Sequence, residues 1–137
     1  MPWHDVPATR HEAHFGRVVR CFAARPPNLG AMLAATVAAH GAREALVDGA
    51  QRFDYAALDR VTDRLAGHFH RLGLAAGDRI ALVLANECEF VFALFAAIKL
   101  GAIAVPINVR EQRPELAFIL NHCGARAIVF DAGLADR

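Results

Sequence analysis

Histidine and carboxylate side chains are the first candidates for chemistry, because they bind metals and transfer protons. Histidines cluster twice, at His11 with His14 and at His68 with His70. The first pair lacks the spacing of a zinc-binding H-E-x-x-H helix, and the second pair would point to different faces of a helix. We therefore predict that these histidines are solvated and that the chain has no metal ligand.

The usual nucleophiles are scarce. The chain contains no serine, which excludes serine hydrolase chemistry. Its cysteines, Cys21, Cys88 and Cys123, are odd in number and far apart, a pattern that argues against disulfides and for a reducing compartment. We predict that each is a small apolar side chain and, because no secretory signal is visible, that the protein is cytoplasmic.

Paired acids have structural explanations. Glu87 and Glu89 lie where a helix is predicted to begin, and carboxylates are favoured there by the helix dipole. Asp59 and Asp63 alternate with arginines on a polar helical face, which predicts a solvated pair. The acids therefore provide no candidate for general acid or base catalysis.

Phosphate-binding motifs are missing from the sequence. It has neither G-x-x-x-x-G-K-[ST] nor G-x-G-x-x-G, and the first two predicted buried strands are not followed by glycines that would let a phosphate approach backbone amides. We predict no catalytic, cofactor-binding or metal-binding residue in this chain.

Composition restricts the remaining classes of function. The 137 residues are 55% hydrophobic and 21% charged with a net charge of +1, which predicts one globular core and gives no basic surface for nucleic acid. Residues 90–109 are apolar enough to imitate a membrane span. Lys99, Gly101 and Pro106 interrupt this stretch, so we predict a helix followed by a buried strand.

Residues 1–28 are predicted to be an N-terminal extension. Thr9 and Glu12 have the T-x-x-E spacing of a capping box, which predicts a short helix that ends before Pro26 and Pro27. Residues 29–137 form the main body. Its first helix is predicted to begin after Asn28 and to end at Gly41 in the left-handed conformation.

The rest of the body alternates strands and helices. A hairpin is predicted first, with its turn at Asp48 and Gly49. The helix that follows is capped by Asp54 and ends at Gly73, and its apolar face runs from Leu58 to Leu72. Buried strands are predicted at 80–84 and 103–107 and a third strand at 127–130, with helices at 87–100, capped by Asn86, and at 114–122. This order indicates an α/β fold with parallel strands, crossover helices and a β-hairpin.

Five segments, in order over residues 29–131, resemble the adenylate-forming acyl-CoA synthetase superfamily. The matches to its motifs are residues 53–58 to T-Y-x-E-L, 73–82 to G-[VL]-x-x-G-D-x-V-A, 86–90 to N-x-x-E-F/W, 96–108 to A-x-x-x-x-G-A-[VI]-x-V-P-[IL]-N and 115–121 to E-L-A-Y-I-L-N. Glu111 and Gln112 depart from the pattern, which commonly has a hydrophobic residue and a threonine there.

The resemblance implies the N-terminal portion of an acid–CoA ligase, with a partial N-terminal subdomain of the adenylate-forming fold. Full-length members join a carboxylic acid, fatty or aromatic, to AMP using Mg-ATP and then form a thioester with coenzyme A. Their phosphate loop and catalytic lysine match nothing in this chain, and Lys99 is not that lysine. We therefore expect the chain to be inactive alone.

Two alternatives stay open. The chain is either a part of one enzyme or a non-catalytic module that docks on, or complements, a synthetase through the exposed edges of its sheet. The thiol acceptor is either CoA or a carrier protein. We expect no membrane span in the chain and no nucleic acid among its partners.

Overall fold

The computed structural model describes residues 7–135. These residues form four α-helices, seven strands and a short 3-10 helix. The strands are β1 (Thr9–His14), β2 (Arg17–Phe22), β3 (Glu44–Asp48), β4 (Gln51–Asp54), β5 (Arg79–Val83), β6 (Ile103–Pro106) and β7 (Ala125–Phe130). The helices are α1 (Leu29–His40), α2 (Tyr55–Arg71), α3 (Cys88–Leu100) and α4 (Arg113–Cys123), and the 3-10 helix is Ala132–Leu134.

A parallel three-stranded sheet forms the centre of the fold. Its strand order is β6-β5-β7, so β5 pairs with both neighbours. Helix α3 connects β5 to β6, and α4 connects β6 to β7 on the other side of β5. Ile80, Ala81 and Leu82 have no exposed surface. The prediction of parallel strands joined by crossover helices is confirmed.

The two faces of β5 bury different helices. Ile80 and Leu82 belong to the larger core cluster, with Phe69 of α2 and Ala93 of α3 among its members. Ala81 and Val83 point to the opposite face, where residues of α4 such as Leu116 pack against them. Successive residues of a strand point to opposite faces, so a continuous apolar run here fills two cores.

Helix α2 begins and ends as its sequence predicts. The Asp54 carboxylate accepts a hydrogen bond from the Ala57 amide at 2.6 Å, and Gly73 follows the helix with a φ of 84°. On its buried face, the hydroxyl of Thr62 donates to the carbonyl oxygen of Leu58 at 2.9 Å. Leu72, predicted to be on the apolar face, is instead 65% exposed just beyond the helix end.

Lys99 joins α3 to α2. Its ammonium donates to the carboxylates of Asp59 and Asp63, both at 2.6 Å, and to the carbonyl oxygen of Asp59 at 3.1 Å. Burial alone would lower the pKa of Lys99, but these bonds outweigh it and the pKa is raised. The prediction that the two aspartates are merely solvated is therefore wrong, because a cation from the neighbouring helix binds both.

The predicted helix at Thr9 is wrong. Residues 9–22 form the antiparallel hairpin of β1 and β2, in which Thr9 pairs with Phe22 and His14 with Arg17. Phe15 and Gly16 make the turn with φ values of 50° and 77°, the geometry of a tight hairpin. Glu12 does not close a capping box, since Arg10 and Arg25 bind its carboxylate.

Three further features differ from the sequence predictions. Gly41 is right-handed, with a φ of −48°; glycine fits there because a Cβ would lie 3.0 Å from the Val37 carbonyl oxygen. Glu87, not Asn86, precedes the first residue of α3. Strand β6 is a partly exposed edge strand rather than a buried one, with Ile103 51% exposed. Among the described residues, no helix combines the length and apolar character needed to cross a membrane.

We expect Lys99→Met to lower the free energy of unfolding by roughly 1 kcal/mol, because two carboxylates then lose a partly buried cation. Urea unfolding of the whole chain measures this. Arg52→Met is the matched control: its ion pair with Glu44 is 3.1 Å long and exposed, and the expected loss is below about 0.5 kcal/mol. Equal losses in both variants would contradict the role given to Lys99.

Candidate functional site

The strand order places a crevice at the carboxyl ends of β5 and β6. The chain leaves β5 toward α3 on one face of the sheet and leaves β6 toward α4 on the other. Neighbouring parallel strands whose connections diverge in this way leave an opening between them, and open α/β sheets bind ligands there. This crevice is therefore the candidate functional site of the described chain.

The crevice has a volume of about 500 Å³ and is open to solvent. Its walls come from the segment after β5, from one aromatic residue of α3 and from the segment after β6. They consist of Leu84, Ala85, Asn86, Phe90, Pro106, Ile107, Asn108, Val109 and Arg110. Three of these residues, Asn86, Asn108 and Arg110, bring polar side chains to an otherwise apolar lining.

Local hydrogen bonds fix the backbone that carries Arg110. The side-chain oxygen of Asn108 accepts a hydrogen bond from the backbone amide of Arg110 at 3.0 Å. The backbone carbonyl oxygen of Asn108 accepts one from the backbone amide of Glu111 at 3.1 Å. The side-chain amide of Gln112 donates to the Arg110 carbonyl oxygen at 3.0 Å. Glu111 and Gln112, which depart from the family pattern, thus still form an ordered turn.

The polar groups of the crevice suit a single anionic group. Arg110 is the cation among the lining residues, and a guanidinium can bind a carboxylate or a phosphate with two parallel hydrogen bonds. The amides of Ile107, Arg110 and Glu111 already donate to protein oxygens, and Pro106 has no N–H. These positions therefore offer no free backbone donor to a phosphate, and the guanidinium of Arg110 is the group that suits an anion.

A smaller cavity of about 280 Å³ lies at the start of α3. Asp48, from the end of β3, accepts a hydrogen bond from the Cys88 amide at 3.2 Å and so caps α3 from a different element. Cys88 is buried, which raises the pKa of its thiol, and the charges of Asp48 and Glu89 raise it further. Such a thiol is a poor nucleophile, in agreement with the prediction of a structural cysteine.

The histidines predicted to be solvated have different environments. His68 and His70 are exposed on α2. His14 lies on the hairpin, where its Nε2 is 3.0 Å from an oxygen of Glu12 and 3.8 Å from the sulfur of Cys21. Hydrogen bonds from Arg25 and Arg10 lower the pKa of Glu12 to about 2. Sequence spacing did not reveal this group, because strand pairing brings its members together.

A comparison with protein-family models matches residues 33–137 to the AMP-binding enzyme family. The chain belongs to this family. The matched region contains β3 to β7 and most of α1, so it includes the sheet and the crevice. The resemblance found in the sequence and the α/β fold are both confirmed.

Curated relatives are considerably longer than this chain. Long-chain-fatty-acid–CoA ligase FadD13 of Mycobacterium tuberculosis is 42% identical over 81 residues, which are 59% of this chain and 16% of that protein. Crotonobetaine/carnitine–CoA ligase of Proteus mirabilis is 43% identical over 79 residues, which are 58% and 15%. The chain thus spans about a sixth of these AMP-binding relatives.

The solved structures that match this chain identify the part of the family's architecture to which it corresponds. The N-terminal domain of FACL13 from Mycobacterium tuberculosis matches with a TM-score of 0.76 and 37% identity, covering 80% of this chain and 28% of that one. O-succinylbenzoate coenzyme A synthetase from Bacillus subtilis matches with a TM-score of 0.71 and 28% identity, covering 74% and 26%. The described fold is an N-terminal part of the AMP-binding architecture.

We expect Asp48→Ala to lower the free energy of unfolding by about 1 kcal/mol, because α3 loses its side-chain cap. Asn86→Ala is the matched control: Asn86 is exposed, and the expected change is within about 0.5 kcal/mol. Thermal unfolding followed by circular dichroism compares the two variants. A larger loss from Asn86→Ala than from Asp48→Ala would restore Asn86 as the cap.

Proposed function

We propose that this chain is the N-terminal portion of an ATP-dependent carboxylic acid–CoA ligase and is inactive alone. The observation that carries the proposal is the family match over residues 33–137, and the crevice with one guanidinium, that of Arg110, lies inside this matched region. The relatives' names support a ligase that joins an acid to coenzyme A. Residues beyond those present here would supply the phosphate-binding loop and the catalytic lysine.

In this proposal the chain's own residues have a positioning role. The buried strand β5 fixes the loops that carry Asn86 and Asn108 relative to each other, and the Asn108 turn holds Arg110 at the open side of the crevice. The remainder of the ligase would close this opening and bind Mg-ATP. The substrate class, a fatty or aromatic acid, follows from family resemblance, as does CoA rather than a carrier-protein thiol as acceptor.

A second candidate is a non-catalytic module that docks on a synthetase or complements its missing part. Its support is apolar surface beside an edge of the sheet, where Ile128 is 44% and Phe130 48% exposed. Both lie at a groove of about 150 Å³ together with Val83, Val109, Glu111, Leu116, Leu134 and Ala135. We propose the remainder of a ligase as the occupant of this groove, and the cytoplasm, where thiols stay reduced, as the compartment.

Incubating the purified chain with Mg-ATP, CoA and a panel of fatty and aromatic acids tests whether the chain is inactive alone. We expect neither AMP release nor thioester above the level of a blank without protein, because no segment of the chain matches the family's phosphate loop or catalytic lysine. Turnover that depends on both acid and CoA would show that the chain is itself a ligase and would overturn the proposal.

A chimera tests whether the chain is the N-terminal portion of a ligase. Residues 33–137 replace the matching segment of the fatty acid ligase FadD13, and we expect thioester formation within about tenfold of that enzyme, since the segment is structural. The control carries Leu82→Asp, which places a charge in the buried strand and should abolish activity. An inactive but folded chimera, with a copurifying synthetase when the chain is expressed alone, would favour the docking module.

A further inference from the structure

The β1–β2 hairpin gathers three groups of different chemistry on one of its faces. Cross-strand pairs share a face, and Arg10 with Cys21, Glu12 with Val19, and His14 with Arg17 are such pairs. One carboxylate oxygen, one imidazole nitrogen and one thiol sulfur, from Glu12, His14 and Cys21, lie within 4.8 Å of one another. The functional crevice and the family match at residues 33–137 do not include them.

We propose that Glu12, His14 and Cys21 form a binding site for Zn²⁺. Zinc prefers thiolate and imidazole ligands together with a carboxylate, at about 2.3 Å from sulfur and about 2.0 Å from nitrogen or oxygen. Tetrahedral ligands at those distances lie roughly 3.3–3.8 Å from each other. The separations here are 3.0 Å between Nε2 of His14 and Oε2 of Glu12, and 3.8 Å between that Nε2 and the sulfur of Cys21.

The carboxylate of Glu12 keeps one lone pair, on Oε2, that can bind the ion. Its Oε1 accepts from Nε of Arg10 at 2.6 Å and from Nη1 of Arg25 at 3.0 Å. Its Oε2 accepts from Nη2 of Arg25 at 2.6 Å and faces His14 with its remaining lone pair. The ion takes the place of the hydrogen between Oε2 and Nε2, so the neutral imidazole of His14 carries its proton on Nδ1 and offers the Nε2 lone pair. A second ring proton, where present, and the thiol proton of Cys21 are released to solvent as the ion binds.

The arginines around Glu12 have two opposing effects on zinc binding: Arg25 orients the carboxylate, and the positive charges repel the ion. Arg25 is held by the Phe22 carbonyl oxygen at 3.1 Å and in turn fixes Glu12 toward His14. The guanidiniums of Arg10 and Arg25 both repel a dication, so we expect weaker binding than at a closed structural zinc site. Solvent fills the fourth position, because His14 is exposed and Cys21 is only half-buried.

Calorimetric titration of the tag-free full chain with ZnCl₂ under reducing conditions tests the site. We expect one ion per chain, unaffected by a large excess of Mg²⁺, which prefers oxygen ligands. Cys21→Ser and His14→Ala should each weaken binding at least about tenfold. Arg10→Ala should strengthen it roughly two- to fivefold, since a repelling charge is removed while Arg25 still orients Glu12.

Cys123→Ser is the matched control, because this half-buried thiol donates to the Leu120 carbonyl oxygen far along the chain from the hairpin. A second measurement needs no variant. Zinc should slow alkylation of Cys21 by iodoacetamide, mapped by mass spectrometry, and leave Cys123 unchanged. The proposal is overturned by no binding at millimolar zinc, by equal binding in Cys21→Ser, or by equal protection of both cysteines.

Discussion

Burial of β5 on both faces is the constraint on which the rest of the structure depends. Ile80 and Leu82 pack under α2 and α3, while Ala81 and Val83 pack under α4. Each large side chain removed from water contributes about 1.5–3 kcal/mol, so this short strand is a main source of stability. Because β5 has a partner strand on each side, the connections must cross to opposite faces, and the crevice at its carboxyl end follows from that topology.

The crevice depends on the fold for its shape and on a few polar residues for its chemistry. The fold supplies an opening, an ordered turn at Asn108 and a guanidinium at Arg110. The amides of Ile107, Arg110 and Glu111 already donate to protein oxygens, so these three donors are not free to bind a phosphate.

Elements with strong local signals were predictable from the sequence. Asp54 and Gly73 delimit α2, and the apolar runs indicate the three parallel strands, because caps and periodicity act over a few residues. The hairpin at 9–22 was missed because a T-x-x-E spacing also occurs in strands, where Arg25 rather than a helix amide satisfies Glu12. The cap of α3 was missed because Asp48 comes from another element. The crevice was missed because it depends on strand order, which parallel pairing alone does not determine.

We propose that this chain forms one wall of a ligase site and does not bind nucleotide by itself. Calorimetric titration of the chain with Mg-ATP measures this most directly. We expect no saturable heat of binding up to millimolar nucleotide, with Arg110→Ala indistinguishable from the unaltered chain. Saturable one-to-one binding at micromolar concentration would contradict it and would require a phosphate site within these 137 residues.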